Sequence, residues 1–186
     1  MEPDEVLLGG RVRGWMLRAH LLWIREYGSP EDGEILAGPL LEGFDPEAWY
    51  PFASIVVLDR AIAARFADSV DEAALYEDLG RFSARLNLSM RFAQWPAEDH
   101  HRFFDETTRF HHELQDFGRA RYRRRGATHG VMTLSDYRCF SRVYCASAAG
   151  WYEQCLVLHG AIRPAVVEEH CRCYGDDACV FALKWR

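Results

Sequence analysis

Lysine is almost missing from this chain of 186 residues: Lys184 is the only one, and arginine supplies the other basic side chains. No structural demand excludes surface lysine so completely, and the bias reads as GC-rich codon usage. Positive charge is in deficit as well, with 22 basic against 28 acidic residues and a net charge of -6, which argues against a general nucleic-acid binder. There is no apolar run near the roughly 20 residues a bilayer requires. The segment Val143 to Tyr152 is bounded by Arg142 and Glu153 and is far too short. The opening MEPDEVLLGG has neither a basic start nor an apolar stretch, so no signal peptide is expected, and a soluble, cytoplasmic protein is. Phosphate loops, dinucleotide fingerprints and Ser-His-Asp motifs are also lacking, so no catalytic set is visible and an enzyme is not expected. Without repeats, low-complexity tracts or Gly/Ser linkers, residues 1–186 read as a single domain.

What is present is mostly helix, then a change of period. With 49% hydrophobic residues, a sizeable core is expected. Residues 11–27 carry Val12, Trp15, Ala19, Leu22 and Trp23 at helical spacing, and Gly28 is placed to end that helix. Short and longer helices follow over 30–41 and 51–67, joined by a junction in which Asp45 can cap and Pro46 can start a turn of helix. Trp49 and Tyr50 in this junction read as core plugs rather than pocket lining. Asp71 is an N-cap for residues 72–94, where Leu75, Leu79, Phe82, Leu86 and Met90 form a stripe, Gly80 and Ser83 permit a close helix approach, and Pro96 stops the run. A weaker helix is expected over 98–114.

Residues 117–124 then alternate, and a turn at 126–130 leads to a second strand at 131–135. Residues 140–158 return to helix, and strands over 161–171 and 178–185 close the chain around Gly175. The expected fold class is therefore α+β: N-terminal helices packed on a four- to five-stranded antiparallel sheet, with a helix between two C-terminal hairpins. Arg119, Arg121, Arg123 and Arg125 share one strand face. They can meet an anionic partner, or simply charge an edge strand against aggregation, the plainer reading. His101, Asp105, Thr108 and His112 share a helix face. A second metal or haem contact is conceivable there, but a solvated polar face is the simpler account.

The chemistry concentrates at the C-terminus. Six cysteines in a reducing compartment point to free thiols or metal ligands rather than disulfides. Cys171 and Cys179 flank the final turn and can face each other across the strand pair. Structural zinc takes four Cys, His or carboxylate ligands in a tetrahedron. Glu168 precedes Cys171 by three, so regular strand alternation places them on opposite faces, and a bulge near Glu169-His170 is needed for both to reach one metal. Cys173 shares the parity of Cys171 and is a rival ligand. Cys145, near the start of the preceding helix, is the natural fourth. The alternative is a set of free thiols packed as small hydrophobes.

These residues resemble the signature of the 4-vinyl reductase domain family: Gly150-Trp151-Tyr152-Glu153 on the helix, Glu168-Glu169-His170-Cys171, Gly175-Asp176, and Cys179-Val180-Phe181. The likeness covers roughly residues 80–186 and is sharp over the last 45 or so. It implies a 4-vinyl-reductase-like core over 71–186 with a helical extension over 1–70, in a bacterial branch of a superfamily related to Bet3-like trafficking-particle subunits and haem-based nitric-oxide sensors. It further implies a structural Zn²⁺ bound by Cys145, Glu168, Cys171 and Cys179, with Arg172, Arg142 or His170 offsetting the negative charge. A closed four-ligand site leaves no position for substrate. The resemblance thus suggests a non-enzymatic sensory module for an apolar or aromatic small molecule, homodimeric and signalling through a protein partner. An interaction scaffold resembling the trafficking-particle subunits is the alternative, and an enzyme of tetrapyrrole metabolism ranks last.

Overall fold

The structure is a computed structural model that describes residues 5–41, 43–67, 71–91 and 99–186. It is α+β. In chain order the elements are β1 (Arg11–Arg13), α1 (Gly14–Tyr27), α2 (Pro30–Leu41), β2 (Trp49–Pro51), α3 (Phe52–Phe66), α4 (Glu72–Arg91), α5 (His100–Arg109), α6 (His111–Leu114), β3 (Arg119–Arg124), β4 (His129–Ser135), α7 (Arg142–Leu158), β5 (Ala165–His170) and β6 (Cys179–Lys184). Four antiparallel strands form one sheet in the order β3-β4-β6-β5, within the expected four to five. Helix α7 joins the two hairpins, as the periodicity implies, and packs on β5 and β6. Helix α4 packs on α7, α1 on α4, and α2 and α3 on α1. Strand alternation sends Met132, Leu134, Phe181 and Leu183 into the core. Arg119, Arg121 and Arg123 lie exposed on β3, an edge strand.

The crossing of α4 and α7 is set by two glycines. A Cβ at Gly80 would stand 1.9 Å from the Ser147 carbonyl oxygen, and one at Gly150 would stand 2.0 Å from that of Glu77. Backbone therefore rests on backbone, as the small residues of α4 suggest.

Several expectations are corrected. Residues 11–13 are strand, because Val12 pairs with Tyr50 in a two-stranded ribbon and bridges to Gln115, so tertiary pairing overrides the helical pattern. Pro51 belongs to β2 and helix α3 begins one residue later. Asp45 accepts a hydrogen bond from Glu47 N at 2.9 Å and makes a turn, not a helix start. Trp49 and Tyr50 are half-buried in β2 rather than core plugs, with the Arg13 guanidinium 4.4 Å over the Trp49 ring. The helix expected over 98–114 breaks at Phe110, preceded by Thr107 and Thr108, whose hydroxyls donate back to the Phe104 and Asp105 carbonyls at 2.8 and 2.7 Å. The stop at Pro96 and the end of the helix over 92–94 lie outside the described residues, as does the Met90 side chain. No helix among the described residues is long and apolar enough to cross a membrane.

Candidate metal centre and cavity

Two features of the interior carry polar chemistry, and α7 touches both. The first is the C-terminal hairpin. Strand β5 runs in regular register with β6 as far as Glu168 opposite Phe181, after which His170, not Glu169, faces Val180. This one-residue bulge brings Cys171 to the face that Glu168 occupies, which regular alternation forbids. The chain then makes a single 3₁₀ turn over Arg172–Tyr174, and Gly175 leaves it at φ +92°, a left-handed conformation suited to glycine. Asp176 pins the turn, its carboxylate accepting from Cys171 N at 2.8 Å.

The result is a compact donor set. Ligand atoms of Cys145, Glu168, Cys171 and Cys179 all lie within 4.8 Å of one another, and it is the one such group among the described residues. The four residues singled out from the sequence are therefore brought together. The Cys145 sulfur is 3.5 Å from that of Cys179 and 3.8 Å from that of Cys171. A tetrahedron with Zn–S bonds of about 2.3 Å has edges of about 3.8 Å, which the two Cys145 sulfur spacings approach. Glu168 Oε1 is buried with no protein hydrogen-bond partner among the described residues, an expensive state that a cation would relieve. The backbone N–H of Arg172 donates to the Cys179 sulfur at 3.4 Å.

The electrostatics agree. Hydrogen bonds from Cys145, Cys173 and Cys179 hold the Cys171 thiol far below its ordinary value. Those with Cys171, Cys173 and Cys179 push Cys145 well above it. Burial, then the Cys171 charge, pushes the Glu168 carboxyl up to about 8, with Arg142 opposing. Burial and mutual repulsion thus work against charging all four groups together, and a divalent cation is what would admit four ligands in charged form. Cys173 is buried on the 3₁₀ turn and hydrogen-bonds within the cluster, but falls outside the mutually close set. Cys139 is buried elsewhere, near Gly10 and Phe117. His170 pairs with Asp176 at 3.4 Å, Arg172 lies over Phe140 and Arg142 over Tyr174, and of the three it is Arg142 whose charge acts on Glu168.

The second feature is a cavity of about 100 Å³ bounded by α1, α3, α4, α5, α6, β3, β4 and α7. Trp15, Ile55, Met132, Leu134 and Trp151 give it apolar walls. At one end the Tyr144 hydroxyl donates to Gln115 Oε1 at 2.5 Å, and Gln115 Nε2 donates to the Tyr137 hydroxyl at 2.8 Å and to the Phe117 carbonyl at 3.2 Å. His111 Nε2 also bonds that carbonyl, at 3.2 Å, and burial pushes its pKa down to about 4. Also in the wall, His20 hydrogen-bonds through Nδ1 to Asp59, and both side chains are buried. This pair went unnoticed in the sequence. Its signal is a lone imidazole in Leu17–Ile24 and a lone carboxylate in Ile55–Ile62, each interrupting an otherwise apolar helix face. The expected polar face of α5 is structural: His101 bonds the Tyr122 hydroxyl at 2.7 Å and the Ala127 carbonyl at 2.9 Å.

No known family model matches the sequence, and no curated protein does either. Solved structures do match in fold. Among them are a variant of the H-NOX domain from Shewanella oneidensis in the Fe(II)CO ligation state (TM-score 0.70, 12% identity, 94% of this chain and 98% of that one) and a variant of Tt H-NOX (TM-score 0.72, 10% identity, 94% and 95%). A variant H-NOX protein from K. algicida, Fe(II) unliganded, matches with TM-score 0.65 at 11% identity over 94% and 96%. The chain has the H-NOX fold. At these identities the likeness speaks for the fold alone, and not for a ligand or a role.

Another solved H-NOX structure is described in terms of heme distortion, which makes heme the group to set against this cavity. Pockets for drug-sized ligands run to about 300–1,000 Å³. The cavity here is about 100 Å³, with indole and phenol side chains in its wall, far too small for a macrocycle. Of the lining histidines, His111 bonds the Phe117 carbonyl through Nε2 and His20 bonds Asp59 through Nδ1. The residues present do not fit haem.

Proposed function

We propose that this chain is a non-enzymatic sensory domain of the 4-vinyl reductase type that binds an apolar or aromatic small molecule in the central cavity. A structural Zn²⁺ held by Cys145, Glu168, Cys171 and Cys179 clamps α7 to the last hairpin. The observation that carries the reading is the convergence of four ligand atoms within 4.8 Å on the helix that also walls the cavity. Tyr144, Ser147 and Trp151 line the cavity while Cys145, on the same helix, turns to the hairpin. When bound, the ion would supply cross-linking and charge neutralisation rather than Lewis acidity, because all four positions are protein ligands. The 71–186 segment would be the 4-vinyl-reductase-like ligand-binding core and 1–70 its helical extension, although α1 and α3 of the extension contribute cavity walls. Output would pass to a protein partner from a cytoplasmic homodimer, for which exposed Val157, Leu158 and Ile162 offer apolar surface.

Native mass spectrometry of the reduced protein tests this directly. One zinc per chain and a dimer are expected. A reduced sample with no metal at one equivalent would sink the zinc clamp. The scaffold reading is favoured by one observation, the small size of the cavity, and predicts that no small molecule is retained or taken up.

A further inference from the structure

A second concave site lies at one end of the sheet, where the β3–β4 turn, the end of β6 and the loop between α7 and β5 meet. It is an open cleft of about 400 Å³ lined by Thr128, His129, Arg163, Lys184, Trp185 and Arg186. Backbone hydrogen bonds build it. Trp185 N donates to the Thr128 carbonyl at 3.1 Å, and Arg186 and Ile162 exchange bonds of 2.8 and 2.9 Å. The strand register puts His129 directly opposite Lys184. Three cationic side chains and an imidazole thus share one concavity, and no acidic side chain lines it. This gathering occurs on a chain whose net charge is -6.

No protein group answers that charge. Among the described residues, the side chains of Arg163, Lys184 and Arg186 have no hydrogen-bond or ion-pair partner. Arg11, Arg60, Arg65, Arg81 and Arg138, by contrast, each meet a carboxylate. Like charges held together repel. Arg163 also has φ +50°, a left-handed backbone that arginine disfavours; the other described non-glycine residue with positive φ is Asp136, of a type that tolerates it. Strain and repulsion at one place are what a bound anion would offset. Lys184 is the chain's one lysine. Its ammonium is a compact point charge with three donors, whereas each guanidinium is a planar fork that matches phosphate oxygens. Two forks and an ammonium suit a small oxyanion of double charge. Trp185 is buried against His100 and His101, so the cleft has no free ring on which a base could stack. We propose that this cleft binds a phosphate monoester group through Arg163, Lys184 and Arg186, with the Thr128 hydroxyl as a further donor. The site depends neither on the central cavity nor on the zinc clamp.

Calorimetric titration of the full chain with glycerol phosphate at low salt should give a single-site isotherm that weakens as salt is added. Arg163→Gly suits the left-handed backbone, so it should keep or raise the melting temperature while losing about tenfold or more in affinity. Lys184→Gln should lose a similar factor. Arg25→Gln makes the same change of charge on exposed α1 surface and should bind as the parent does. Acetylation of the lone lysine, read by peptide mass mapping, should slow with glycerol phosphate and not with sodium chloride of equal ionic strength. Phosphatidylcholine vesicles with and without phosphatidic acid separate the two sources of such a group. Binding of the soluble ester assigns the site to a free phosphate monoester, and sedimentation with phosphatidic acid vesicles alone assigns it to a lipid headgroup. If neither binds, or if affinity is unchanged in both Arg163→Gly and Lys184→Gln, the proposal is overturned.

Discussion

Replacing Gly80 with alanine places a methyl group 1.9 Å from the Ser147 carbonyl oxygen, 2.7 Å from its carbon and 3.0 Å from Trp151 N. Carbon–oxygen contacts normally begin near about 3.3 Å, so about 1.4 Å must be found. The obstacle is helix backbone and cannot swing aside. Helices α4 and α7 must separate, or one must shift along the other. Overpacking costs about 1–3 kcal/mol where side chains can adjust, and a backbone clash belongs at the upper end. For a chain of this size about 2–4 °C of melting temperature accompanies each kcal/mol, so a fall of about 5–10 °C is expected. The displacement also reaches the hairpin, because α7 carries Cys145, and the variant should hold zinc less tightly. Scanning calorimetry with and without added zinc measures both. Gly33→Ala is the control: it lies in α2 with nothing within 4 Å of the added carbon, and should be neutral or stabilise by about 0.5–1 kcal/mol through lost backbone freedom. A Gly80→Ala protein that melts within a degree of the parent would refute this account of the crossing.

Cys171→Ser should abolish stoichiometric zinc and lower the melting temperature by several degrees, whereas Cys155→Ala, a buried thiol of α7 outside the donor set, should keep one equivalent; elemental analysis of both decides. Cys173→Ser should retain the metal, and its loss would make Cys173 the ligand in place of Glu168. The folded pKa of His111 is pushed down to about 4 by burial, below its unfolded value of about 6.5, so the unfolded chain takes up a proton first. Its contribution is complete above about pH 6.5 and is lost as pH falls towards 4, worth about 1–3 kcal/mol. Urea midpoints measured between pH 7 and 4.5 should fall less for His111→Gln than for the parent, and parallel curves would contradict the assignment.

Local pattern carried much of this architecture. The stripe Leu75, Leu79, Phe82 marks α4, the alternation from Arg119 marks β3, and the two glycines at the α4–α7 crossing fall where small residues interrupt large ones. Side-chain parity calls for a bulge near Glu169-His170 only if Glu168 and Cys171 are to reach one site, and the register shift lies between Glu168 and His170. Three things were not legible. The β1–β2 ribbon depends on pairing between Val12 and Tyr50, a long-range contact that overrides helical periodicity. The break at Phe110 depends on threonine hydroxyls competing for carbonyls, which spacing does not reveal. The His20–Asp59 pair joins positions 39 residues apart on different helices, and each alone looks like an ordinary polar interruption.

Helix α7 has the cavity on one side and the thiols on the other, with Tyr144 and Cys145 as consecutive residues. A rigid rod held this way cannot yield to a guest without moving its anchor. Metal–ligand distances tolerate only about 0.2 Å. A guest too bulky for the chamber would therefore have to break a coordination bond before it could enter. The metal would then act as a gauge of molecular size, and stripping it with a chelator should broaden the range of compounds admitted before it alters affinity for those that already fit.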